Sequence, residues 1–170
     1  MKKLLLIVSL LVSAIAIQAQ KFALIDTEYI LKNIPAYEMA NEQLNSISKR
    51  WQGEVETVQQ EAQNLYKSYQ ADLVFLSPEM RNQRETAIVE KEQQAQDLRR
   101  KYFGPEGELF KKRESLVKPI QDEIYNAVKQ VSEEKGYTVI VDRATASSII
   151  YASPKIDISN DILAKLGYSK

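Results

Sequence analysis

The chain has 170 residues, with 23 Lys and Arg balanced by 23 Asp and Glu, 44% apolar residues, and neither histidine nor cysteine. This balance leaves no basic excess on which a nucleic acid would condense. The missing side chains exclude disulfides, zinc sites built on His or Cys, and catalysis by an imidazole or a thiol.

Met1-Lys2-Lys3 followed by the apolar run Leu4 to Ile17 has the form of a secretion leader, residues 1–19, with small residues placed for cleavage near Ala16 or Ala19. The run is short for a membrane span, and no later segment approaches one. Without cysteine there is no lipoprotein-type lipid anchor. The expectation is a secreted, soluble protein; an uncleaved anchor is the alternative. Loss of the leader leaves 21 basic residues (23 less Lys2 and Lys3) against 23 acidic ones, a formal charge of about −2.

Lys21 to Asp26 reads as a short strand, and Thr27 to Asn33 as a short helix capped by Asp26 or Thr27 and ended by Pro35. The stretch from Pro35 to Lys135 is charged, with apolar residues in alternating steps of three and four: Tyr37, Ala40, Leu44, Ile47, Trp51, then Val55, Val58, Ala62, Leu65, Tyr69. That is a heptad seam, by which a helix pairs with another along its length. At Leu73-Val74-Phe75-Leu76 the pattern becomes a solid apolar cluster. Ser77-Pro78-Glu79 then supplies a cap, a proline suited to the first helical turn, and an acid that complements the helix dipole. A second helix starts there, with a thin seam (Met80, Ala87 or Ile88, Ala95, Leu98, Tyr102) that strengthens at Phe110, Val117, Ile124 and Val131. The natural object is an antiparallel hairpin with an apolar tip, whose arms of about 40 residues would run roughly 60 Å.

Both arms carry an interruption. Gly53 lies in the first, 24 residues before Ser77; Gly104 and Pro105 lie in the second, 27 and 28 residues after it. Phe103 to Glu108 must break or kink the helix. The matched heights suggest a hinge; a fixed local kink is the other reading.

Gly136 stops the helix, and Tyr137 to Asp142 is a β-branched strand. After a turn at Arg143 to Ala146, the β-branched and aromatic run Ser148 to Ala152 reads as a further strand, broken at Ser153-Pro154; a last helix follows from a cap at Asp157 or Ser159 to Gly167. The fold class is therefore α+β, mostly α. A helical hairpin over 36–135, with its tip near 73–80, is inserted in a small discontinuous α/β body built from 20–35 and 136–170. So small a body buries little surface alone, so oligomerisation through the sheet is expected, with Leu24, Val139, Val141, Ile149 and Tyr151 at the interface.

Two blocks resemble the Skp (OmpH-like) periplasmic chaperones: Lys21 to Asp26 with the short helix to Ile34-Pro35, and the tail carrying Ile120-Gln121, Ala127-Val128-Lys129, Val139-Ile140-Val141-Asp142, Ile149-Ile150-Tyr151 and Asp157 to Leu163. The resemblance implies a homotrimer whose strands form a central barrel and whose hairpins surround a cavity. It also implies that unfolded outer-membrane proteins are held there without ATP and without any cofactor. Well-known members of that family are strongly basic and this chain is not, which puts a lipopolysaccharide site and charge steering in question.

Four consecutive apolar residues cannot all face one seam. Leu73, Val74, Phe75, Leu76 and Met80 therefore either close the coiled coil or present a surface to a client. Tyr66, Tyr69, Tyr102 and Phe103 are further candidates for client contact, most of them also seam positions. A basic band (Arg99-Arg100-Lys101, Lys111-Lys112-Arg113, Lys118) lies roughly opposite Glu54 and Glu56, giving either exposed ion pairs or weak contact with acidic client segments and membrane surfaces. Ser46 to Lys49 and Ser115 to Lys118 match a Ser-x-x-Lys spacing but lie in heptad helices without the companion motifs of serine acyl-enzymes. No constellation is catalytic. The reading is a non-enzymatic periplasmic holdase; the alternative is an envelope adaptor whose tip docks one specific partner.

Overall fold

The computed structural model describes residues 21–146 and 148–168; the leader expected over residues 1–19 lies outside them. The chain forms two compact units. Of the described residues, one holds 21–34 and those from Asp122 onward, the other Pro35–Gln121.

The first unit is organised by strand Lys21–Ile25 (β1), in which Ala23, Leu24 and Ile25 are buried. It pairs in parallel with Tyr137–Asp142 (β2), Leu24 opposite Val141 and Ile25 opposite Asp142. Parallel neighbours need a long crossover, and here all the long helices lie between them in sequence. Thr27–Lys32 (α1) follows β1, with Asp26 accepting from the Tyr29 amide at 2.9 Å as its cap. On its other edge β1 meets the chain at Asp157, where the Ile158 amide donates to Leu24 O at 2.9 Å. Ser159–Lys165 (α5) then packs on α1. Ile30 of α1, Ile162 of α5 and Ala23 of β1 are fully buried, and Ile158 and Leu163 are nearly so.

A polar knot closes the C-terminal ends of the two strands. The Asp142 carboxylate accepts from the Thr27 amide (3.1 Å) and hydroxyl (2.7 Å), the Ala144 amide (3.1 Å) and the Thr145 hydroxyl (3.2 Å). Arg143 bridges Asp26 at 3.1 Å and Asp157 at 3.6 Å. The buried Ser159 hydroxyl donates to Asp157 at 2.6 Å and accepts from the Asp26 amide at 2.9 Å. Among the described residues no buried side-chain nitrogen or oxygen lacks a hydrogen-bond partner, which a body with so little apolar core requires.

The expected third strand is absent. Residues 149–153 make no strand pairing, so Ile149 and Tyr151 are not in a sheet; Tyr151 is 83% exposed and Ile150 fully so. The Asp142 turn, closed by the Ala146 amide donating to Asp142 O at 3.1 Å, carries this segment past β2 without pairing. Composition alone does not make a strand: the segment becomes one only where its backbone is paired with a neighbouring strand. Leu24, Val139 and Val141 do lie in strands, with Leu24 buried and Val139 40% exposed.

The second unit is the hairpin. Pro35–Asp72 (α2) is a single helix of 38 residues, about 57 Å long at the usual rise. It packs along Pro78–Phe103 (α3). The returning arm resumes as Glu108–Lys135 (α4), which continues past Gln121 into the other unit. Ala40, Leu44, Val55, Ala62 and Tyr69 are buried on α2, and Ile88, Ala95 and Tyr102, seven apart, on α3. Phe110 departs from its expected seam place, being 46% exposed.

The two expected interruptions differ. Gly53 lies inside an unbroken helix, its amide carbonyl accepting from the Thr57 hydroxyl at 2.8 Å. One glycine costs about 1 kcal/mol, too little to open a long helix packed along its length. Gly104 to Gly107 is a true break. A Cβ on Gly107 would stand 2.8 Å from Tyr102 O and 2.9 Å from Lys101 O, so the chain folds back on α3 too closely for any side chain there.

Candidate functional site

The tip is built by two helix ends. After Asp72 the chain turns, the Phe75 amide donating to Asp72 O at 2.8 Å. Ser77 then caps α3, its hydroxyl accepting from the Met80 amide at 3.2 Å, with Pro78 at the first position. The Arg81 guanidinium donates to Leu76 O at 3.2 Å and fixes the turn from the other side.

This geometry divides the apolar cluster in two. Leu76 is buried with Tyr69 and Ile88, and Leu65 and Leu73 pack against them. Val74 and Phe75 are 84% and 86% exposed, and Met80, on the first turn of α3, is 47% exposed. Of the five tip candidates, two close the coiled coil and three are free to meet a partner.

The aromatic candidates divide in the same way. Tyr66 is 52% exposed. Tyr69 and Tyr102 are buried and bonded across the hairpin, which takes them out of any contact surface. The Tyr69 hydroxyl donates to Glu85, and the Tyr102 hydroxyl to Glu54 at 2.6 Å. Each carboxylate holds the phenolic proton in place, and burial adds to this, so both tyrosines titrate above their ordinary range. Tyr102 also stacks on Trp51, and Phe103, half-buried, meets it edge-on at 6.4 Å. A tyrosine at a seam position buries its ring and needs a partner for its hydroxyl. The facing glutamates supply it.

Arg99, Arg100, Lys101, Lys111, Lys112 and Arg113 of the basic band make no ion pair with Glu54 or Glu56. Glu54 is occupied by Tyr102, and the Lys101 ammonium lies 5.4 Å from the Tyr102 ring. Ion pairs between the arms form elsewhere, Lys91 with Glu61 at 2.7 Å and Arg84 with Asp72 at 3.9 Å. In this exposed setting each is worth about 0–1 kcal/mol.

Among the described residues no helix is long and apolar enough to cross a membrane. The family model for outer membrane protein (OmpH-like) matches residues 21–166, taking in the strand pair, the hairpin and α5. This chain belongs to the OmpH-like family. Within the OmpH-like proteins it is 28% identical, over 98% of its own length and 99% of the relative's, to the protein named Chaperone protein Skp in Yersinia enterocolitica. It is 25% identical to the protein of that name in Pectobacterium atrosepticum, over 87% of this chain and 86% of the other. The crystal structure of an OmpH-like chain from Caulobacter crescentus superposes with a TM-score of 0.67 at 15% identity, covering 86% of this chain and 83% of that one. At that identity the likeness establishes the OmpH-like fold.

Proposed function

We propose that the protein is an ATP-independent holdase of the periplasm that binds unfolded outer-membrane proteins between helical arms and prevents their aggregation. The observation that carries the reading is the split tip: Leu73 and Leu76 close the hairpin while Val74, Phe75 and Met80 stay uncovered. A protein spends exposed aromatic and branched residues on a partner more readily than on solvent. The names of the curated relatives support the same direction. Affinity would come from several weak apolar contacts acting together, each raising the effective concentration of the next.

The assembly in this reading is a homotrimer. The outer edge of β2 has no strand partner among the described residues, and the apolar segment with Ile149 and Tyr151 lies exposed after it. Second copies would satisfy both. Sedimentation of the unmodified protein as a folded monomer would end this part of the proposal. Val141→Asp, which places an unpaired charge in the sheet, is expected to dissociate the trimer.

The test of the contact surface is the triple replacement Val74→Ser, Phe75→Ser, Met80→Ser. Helicity and assembly should be retained, since none of the three is buried. Capture of an unfolded barrel protein should weaken, by up to about 1.5–3 kcal/mol per fully engaged side chain. Unchanged capture would remove the tip from the mechanism. Capture of one specific envelope protein, with no protection of unrelated clients, would favour an adaptor instead.

A further inference from the structure

The groove between α2 and α3, below the tip, has a volume of about 660 Å³ and a floor of two buried alanines, Ala62 and Ala95. Neither raises more than a methyl group, so a polypeptide backbone is able to come close. On the α2 side the groove is walled by Gln59, Gln63, Tyr66 and Lys67, and on the α3 side by Glu92, Gln96 and Arg99.

Glutamine carboxamides carry the donor and acceptor pair of a peptide group, and so match a backbone whatever its sequence. Those of Gln59, Gln63 and Gln96 have no hydrogen-bond partner among the described residues, whereas Gln60 and Gln93 are engaged by Asn64 and Asp97 at 3.1 and 3.0 Å. The spacing also fits. Gln59 and Gln63 are one turn apart, about 6 Å along the axis. In an extended chain the groups facing one side repeat every second residue, about 6.7 Å. A flexible side chain absorbs the difference.

We propose that this groove binds an extended segment of an unfolded polypeptide through its backbone, independently of sequence. The proposal rests on the holdase reading and adds to it a polar contact that an apolar tip cannot supply: it occupies the N–H and C=O groups by which unfolded strands pair with each other.

The test is titration of the full-length protein with two fluorescently labelled outer-membrane barrel proteins of unrelated sequence, each diluted from urea. The variants are Gln59→Ala/Gln63→Ala/Gln96→Ala, the same three positions changed to Glu, and Lys67→Gln/Arg99→Gln. Alanine is the strongest helix former, so the first variant should melt no lower than wild type. The glutamate variant removes the donors at nearly constant shape and serves as the second arm. The expected result is a Kd about fivefold or more weaker for both clients with either glutamine variant. Little change should follow from Lys67→Gln/Arg99→Gln. Loss only with the charge variant would show that the groove attracts acidic groups, a membrane surface included, and would overturn the proposal. So would loss confined to one client. Unchanged capture by both glutamine variants, beside weakened capture by the tip variant, overturns the groove and leaves the holdase standing. Failure of the unmodified protein to capture either client removes both.

Discussion

Trp51 lies flat against Tyr102, ring centroids 4.7 Å apart and planes 3° from parallel, one ring from each arm of the hairpin. Tyr102 is the penultimate residue of α3, so the stack and the hydrogen bond to Glu54 both fall on the last turn before the break at Gly104. One side chain therefore ties the two arms together where the second arm loses its helix. Stacked pairs contribute about 0.5–1.5 kcal/mol beyond their area.

Tyr102→Phe keeps the ring and loses only the hydrogen bond, for an expected cost of about 1 kcal/mol. Tyr102→Ala removes both, and a buried aromatic truncated to alanine typically costs about 3–5 kcal/mol. Thermal melts followed by circular dichroism measure each cost. Emission from Trp51, the chain's single tryptophan, reports the stack directly. Equal losses in the two variants would mean that the ring contributes nothing.

The glycines of the hairpin should respond in opposite directions. A Cβ at Gly53 meets nothing within 4 Å, so Gly53→Ala is expected to stabilise the hairpin by about 1 kcal/mol. At Gly104 the added atom would lie 2.4 Å from Arg100 O, and at Gly107 it would crowd three backbone atoms. Either alanine there should lower the melting temperature. A Gly107→Ala protein as stable as wild type would show that the loop rearranges at no cost.

The hairpin was legible in the sequence because a seam is a local, repeated signal. Ala40, Leu44, Val55, Ala62 and Tyr69 occupy the predicted face, and Ser77-Pro78 starts α3 as its chemistry requires. Propensity at one position was a poorer guide: Gly53 is overruled by the packed helix on both sides of it. The contact between Asp142 and Thr27 was not readable, because the two are 115 residues apart and no periodicity links them. The tip could be read only as a cluster with some residues facing outward. Deciding that Val74 and Phe75 are those residues, and Leu73 and Leu76 are not, required the turn geometry. The Gln59 and Gln63 row was visible as a one-turn spacing beside Ala62, yet carried no meaning until Ala95 and Gln96 were placed across from it.

The polar knot is expected to make the body sensitive to acid. Burial pushes Asp142 up, but the hydrogen bonds from Thr27, Ala144 and Thr145 outweigh it and leave the carboxyl below its ordinary value of 3.8. A depressed folded-state pKa means that the ionised form is favoured by folding. Its contribution is therefore fully present above the unfolded value, about 3.9, and is lost as pH falls through the folded one. Urea midpoints should fall as pH drops below about 4, and Asp142→Asn should remove part of that slope. A slope identical in the variant would assign the acid sensitivity to other carboxylates.

The break at Gly104 to Gly107 is also expected to act as a hinge, with α2 as its continuous spine. Bending there must slide Tyr102 against Trp51, because the stack lies one turn from the break and its two rings belong to different arms. If the protein acts as the proposed holdase, a cavity between its arms would gain from such compliance by admitting clients of different size. Stiffening cannot be sought at Gly104 or Gly107, where any side chain collides with backbone, so Gly53→Ala in the facing helix is the appropriate variant. Spin labels at Asn82 on α3 and Glu114 on α4 span the break within one chain, and the absence of native cysteine leaves the labelling unambiguous. The expected distance distribution is broad in the free protein, narrower in Gly53→Ala, and shifted when an unfolded client is added, with a parallel change in Trp51 emission. A distribution as narrow as the label allows, unmoved by client and by Gly53→Ala, would make the break a fixed kink.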